Sequence, residues 1–162
     1  MRKLTIVTSL AVLALAAAGT AGATAPTTVH QSFPRSIPHY LQCPGFWIDG
    51  EFQIDRTTTT FYDQAGTAVR TVSHVRSEGT LSNPLTGKSI ADTGDFKITF
   101  DLLAGERTTD GASSVATAPG LGVIYHSTGH LVFNPDGSIS EGGPHDDIDG
   151  NYGALCSYLT GP

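Results

Sequence analysis

In FWIDGEFQI, residues 46–54, Phe46, Ile48, Phe52 and Ile54 fall on one parity, and Asp49, Glu51 and Gln53 fall on the other. FKITFDL, residues 96–102, repeats the pattern, with Phe96, Ile98, Phe100 and Leu102 alternating with Lys97, Thr99 and Asp101. Apolar residues recurring every second position mark half-buried β-strands. Segments 67–78 and 121–133 also read as strands, and 57–62, 88–91 and 138–140 are shorter candidates. Turn chemistry separates them at Asp63-Gln64-Ala65-Gly66, Asn83-Pro84-Leu85-Thr86-Gly87, Asp92-Thr93-Gly94 and Asn134-Pro135-Asp136-Gly137. Residues 106–120 are weakly patterned and read as a mobile loop. Tyr152, Leu155, Cys156 and Leu159 fit a short helical face or a strand, and no longer helical stripe exists. About eight short strands predict an all-β domain, a single antiparallel barrel or a sandwich. The barrel is favoured because closure hides edge strands.

The N-terminus changes the domain count. Arg2 and Lys3 precede an uncharged stretch from Leu4 to Ala18, which ends in the small residues Ala21-Gly22-Ala23. That order reads as a secretory signal peptide, residues 1–23, and its apolar run is short for a bilayer span. Residues 24–42 carry Pro26, Pro34 and Pro38 without periodicity and read as an irregular leader. The barrel domain is then 43–162. Localisation is predicted to be secreted, extracellular, with no stable membrane insertion after cleavage.

Cleavage removes two cations, so the net charge falls from −6 to −8, with 7 Lys plus Arg against 15 Asp plus Glu. Nucleic acid and anionic membranes require clustered cations, so neither is an expected partner. Cys43 and Cys156 are the two cysteines, and an even count in an exported chain predicts a disulfide.

The segments CPGFW, NPLTGKSIADTGDF, GHLVFNPDGSI, GPHD and ALCSYL, together with the signal peptide, resemble small secreted proteins of high-GC Gram-positive bacteria. That resemblance spans most of the mature chain and implies no activity and no catalytic residue. By architecture alone, such a barrel is similar to lipocalins and to allene oxide cyclase-like barrels.

Candidate chemistry is sparse. His126 and His130 stand four apart in a strand pattern, roughly 13 Å along one face, too far to share a zinc ion. That face, with Ile124, Thr128 and Val132, is more polar than the face of Tyr125, Leu131 and Phe133, so it points to solvent or a polar cavity. In GGPHDDIDGN, His145 and Asp146 offer an imidazole beside a carboxylate, a pairing suited to proton transfer. Asp147, Asp149 and Asn151 begin a calcium-loop pattern that fails at Tyr152 and Tyr158, so a polar closing loop is favoured and no metal site is assigned. Trp47 falls on the polar face of its strand, either as a binding platform or packed under the leader. No nucleophile elbow, phosphate loop or zinc-protease helix is present, and no cofactor is predicted.

The reading is a non-catalytic secreted barrel that holds a small apolar or amphipathic ligand, with His126, His130, His145, Asp146 and Trp47 as candidate contacts. The rival is an isomerase or cyclase using His126, His130 or His145 with Asp146. A third reading is an interaction module acting through its loops. Oligomeric state is left open.

Overall fold

The computed structural model describes residues 24–161, so the predicted signal peptide, 1–23, lies outside the described residues. One antiparallel sheet runs in sequence order through β1 (Thr27–Cys43), β2 (Phe46–Tyr62), β3 (Ala68–Ser82), β4 (Ser89–Asp101), β5 (Glu106–Ala118), β6 (Gly122–Phe133) and β7 (Ile139–Gly142). Two short helices follow, α1 (Asp146–Asp149) and α2 (Gly153–Thr160).

The period of two carries the fold. Phe46, Ile48, Phe52 and Ile54 share the inner face of β2, and Trp47, Glu51, Gln53 and Asp55 share the outer, exposed one. Thr57 to Thr60, β-branched throughout, extend β2 rather than forming a separate strand.

The expected antiparallel all-β fold is present: among the described residues seven strands, against about eight expected, form one sheet that curls without closing, because β1 and β7 remain its edges. Other expectations are corrected. Residues 24–42 are no irregular leader: Thr27 to Ile37 pair residue by residue with Thr60 to Gly50. The two internal prolines are tolerated because β1 is an edge strand, where a missing N–H need not break the ladder. β5 takes up most of residues 106–120, and its small Ala, Ser and Gly residues weaken the pattern without abolishing pairing. Asp92-Thr93-Gly94 is no turn; β4 runs straight through it.

The other turns form as their residues dictate. Asp63 Oδ1 accepts from the N–H groups of Ala65 and Thr67, and Asn83 Oδ1 accepts from Leu85 N–H. Gly87 closes the latter turn at φ +73°, a conformation that costs glycine little.

Burial concentrates at one end of the sheet. Leu41, Ile48, Leu81, Ile90, Ala116 and Tyr125 surround Leu155, Cys156 and Leu159 of α2. The helical alternative for Tyr152 to Leu159 therefore holds, and α2 caps that end. Asn83 and Thr86 donate side-chain hydrogen bonds to the Leu159 carbonyl. The predicted disulfide joins Cys43, at the end of β1, to Cys156, with Cα atoms 5.6 Å apart. Among the described residues, no helix is long and apolar enough to cross a membrane.

Candidate functional site

Among the described residues, no helix covers the inner face of the opposite half of the curled sheet. Where the two halves meet lies a pocket of about 140 Å³. Its walls include Ile37, Phe52, Ile54 and Phe96, and its polar margin includes Arg35, Tyr40, Ser77 and Asp92.

Two irregularities in the ladder set the polar groups. In β1, Pro38, His39 and Tyr40 bulge between the paired residues Ile37 and Leu41. His39 takes the left-handed φ of +56°, and its N–H donates to Asp49 Oδ1 at 2.9 Å. The bulge delivers the Tyr40 hydroxyl to within 3.3 Å of the Tyr125 hydroxyl. In β4, the register shifts between Thr93 and Asp95 against β5. Asp92, beside that shift, is 1% exposed. Its carboxylate accepts from Ser114 Oγ at 2.7 Å and from the backbone N–H groups of Val115 and Thr93. Burial nevertheless dominates and pushes the Asp92 carboxyl up to about 6. Burial likewise raises the Tyr40 and Tyr125 hydroxyls.

Glycine makes room for the wall. Phe52 lies across its cross-strand partner Gly79, where an added Cβ would stand 2.7 Å from Phe52 Cδ1 and overlap the Glu51 carbonyl. Phe96 is likewise opposed by Gly111.

None of the residues singled out from sequence lines this pocket. His126 and His130 are on the outer face, as their polar neighbours imply, since their opposed partners are Val115 and Asp110. His126 Nδ1 approaches Asp146 Oδ2 at 3.0 Å, and the same oxygen accepts from the His126 N–H at 2.8 Å. His130 Nδ1 lies 2.6 Å from Asp110 Oδ1. That hydrogen bond, with help from Lys97, lowers the exposed Asp110 carboxyl. His145 is 2% exposed and turns inward, with Nδ1 3.2 Å from Ser127 Oγ and Nε2 buried without a hydrogen-bond partner. Trp47 is 40% exposed, beside His39 at 5.2 Å between ring centroids. His39 belongs to the segment read as the leader, so Trp47 packs partly against it as part of β1.

The structure thus brings His126, His145 and Asp146 together at the α1–β6 junction, where the side chains tie chain to chain. The acidic stretch forms α1, with Asp149 Oδ2 bent back toward the His145 N–H at 3.4 Å. Among the described residues, no three His, Cys, Asp or Glu side chains converge as metal ligands.

A broader groove of about 620 Å³ opens mainly on the outer face, lined by residues including His30, Asp55, His74, Arg76 and Asp95, and Arg56 borders it as well. Arg76 and Asp95 pair there at 3.1 Å while mostly exposed, as in a solvated polar surface.

Sequence reasoning missed Asp92, Arg35 and Tyr40. For Asp92 the signal was parity: it stands in phase with Ile90, Phe96 and Ile98, a carboxylate on the apolar face. Compared with protein-family models, with curated proteins and with solved structures, the chain matches none.

Proposed function

We propose that the protein is a secreted binder of a small amphipathic molecule, seated on the inner face of the curled sheet. One observation carries this reading: the pocket sets Phe52, Ile54 and Phe96 beside a polar margin that includes Tyr40 and Asp92. Apolar walls with a few fixed polar groups are the usual composition of a ligand site. At about 140 Å³ the pocket is smaller than the roughly 300–1,000 Å³ of drug-sized sites, so it seats a compact group while the rest of the ligand follows the uncapped inner face. The disulfide and an acidic, export-signalled chain fit an extracellular carrier.

The isomerase or cyclase reading draws its support from Asp92 rather than from the histidines. A carboxyl that titrates near 6 beside two tyrosine hydroxyls is suited to proton transfer. The pair of His126 and Asp146 lines none of the pockets above, so it supports neither reading.

The binding reading is tested by calorimetric titration of the mature, oxidised chain with ten-carbon amphiphiles carrying anionic, non-ionic and cationic headgroups, each below its micelle-forming concentration. Saturable one-to-one binding of at least one amphiphile is expected, weakened by Phe96→Ser. Failure of all three to bind overturns the reading.

A further inference from the structure

We infer that the ligand is an anionic amphiphile, its headgroup held by Arg35 and Arg56; this rests on the inner-face binding reading above. The register sorts the charges of the sheet between its two faces. Directly opposed residues share a face, so pairing alone assigns each side chain. Asp55, Asp95 and Asp110 belong to the outer face, and the chain as a whole is acidic. The inner face of the uncapped half nevertheless carries arginines. Arg35 opposes Phe52, a pocket wall, and Arg56 opposes Gln31 two same-face pairs further along the same two strands, with Phe33 and Ile54 between them.

Arg35 is exposed beside the apolar walls of the pocket, and Arg56 is half-buried. The Arg56 guanidinium lies over the Phe33 ring at 5.3 Å, and its Nη2 donates to Gln31 Oε1 at 2.9 Å. Among the described residues, neither guanidinium has a carboxylate within ion-pairing distance, whereas Arg76 and Lys97 on the outer face each have one. Arg56 Nε is buried without a hydrogen-bond partner. A buried donor left unmet is costly, and in native proteins it calls for an explanation. An anionic headgroup placed against the other N–H groups of this guanidinium supplies a countercharge.

Arg35 lines the pocket, so a headgroup at Arg35 and Arg56 puts its apolar body on Ile54 and Phe96. Asp92 stands at the same pocket, but its carboxylate is engaged by Ser114 and by backbone N–H groups and sits on the core side. A guanidinium offers a planar fork to a carboxylate, sulfate or sulfonate group, and recognition by two such forks gives a headgroup preference that an apolar wall alone does not.

The test uses the mature, oxidised chain with decanesulfonate, decyltrimethylammonium and decyl maltoside as probes, with inorganic sulfate as a headgroup-only control. Decanesulfonate is expected to bind at least ten-fold more tightly than decyltrimethylammonium. Arg35→Gln and Arg56→Gln should each weaken decanesulfonate about ten-fold and decyl maltoside by clearly less. Circular dichroism checks that both variants keep the sheet. Equal binding of the three amphiphiles, preference for the cation, or indifference to both substitutions overturns the anionic headgroup while leaving inner-face binding intact. Binding of sulfate as tight as decanesulfonate overturns the amphiphile. Binding of none of the three amphiphiles removes both readings together.

Discussion

Asp92 Oδ1 accepts a 2.7 Å hydrogen bond from Ser114 Oγ on the neighbouring strand, and both side chains are about 1% exposed. The pair sits beside a step in the β4–β5 register, where the ladder leaves backbone N–H groups in need of acceptors. The carboxylate serves them. It therefore has a structural task as well as a place at the pocket.

That burial makes stability depend on pH. The Asp92 carboxyl titrates at about 6 in the folded chain, against 3.8 in the ordinary case. Below both values the group is neutral in either state and makes no difference. Between them the folded chain holds a proton that the unfolded chain has released, so stability falls as pH rises from about 4 to about 6. A shift of about two units corresponds to a loss on the order of 3 kcal/mol. Asp92→Asn should remove this loss, so its stability relative to wild type should rise between pH 4 and pH 7 in urea denaturation. A pH-independent difference would contradict the assignment.

Reduction of Cys43–Cys156 frees the end of β1 from α2, across a sequence separation of 113 residues. Chain-entropy arguments put its contribution on the order of 4–5 kcal/mol. Urea midpoints measured with and without dithiothreitol should differ accordingly, and the double Cys→Ser variant should match the reduced protein.

Gly79→Ala forces a Cβ between the Phe52 ring and the Glu51 carbonyl. Overpacking of this kind costs typically about 1–3 kcal/mol. The melting temperature should fall, and ligand binding should weaken because Phe52 must move. Gly45→Ala provides a contrast, since a Cβ there meets nothing within 4 Å and only its φ of +87° opposes the change.

Asp146 acts as a clasp. Its Oδ2 binds both the N–H and Nδ1 of His126, holding α1 against β6. Asp146→Ala leaves the His126 N–H without its acceptor, at a cost of about 1–3 kcal/mol. Amide exchange at His126 should accelerate, while amphiphile binding should stay unchanged.

Much of the architecture is legible in the sequence, because Phe46 to Ile54 and Phe96 to Leu102 alternate cleanly and because Asp63, Asn83 and Asn134 announce their turns. The disulfide follows from the predicted export signal and an even cysteine count. What escaped has physical causes. The prolines of β1 obscure a strand that an edge position tolerates, and the small residues of β5 flatten its alternation. Asp-Thr-Gly carries turn chemistry that the β4–β5 ladder overrides. The pocket was hidden for the same reason. Asp92 lay in a predicted turn, Arg35 in a predicted leader, and Tyr40 faces inward through a bulge that parity does not foresee. The histidines stood out by type, yet their chemistry is spent on holding β6 to its neighbours.

The central claim is that the inner face of the uncapped half is the binding surface, and amide chemical shifts during a titration test it most directly. On adding decanesulfonate to isotope-labelled residues 24–162, shifts should move at Arg35, Phe52, Ser77 and Phe96, while those of His126 and His130 stay fixed. Perturbation confined to the outer groove, at His30, His74 and Arg76, or none at all, would contradict the account.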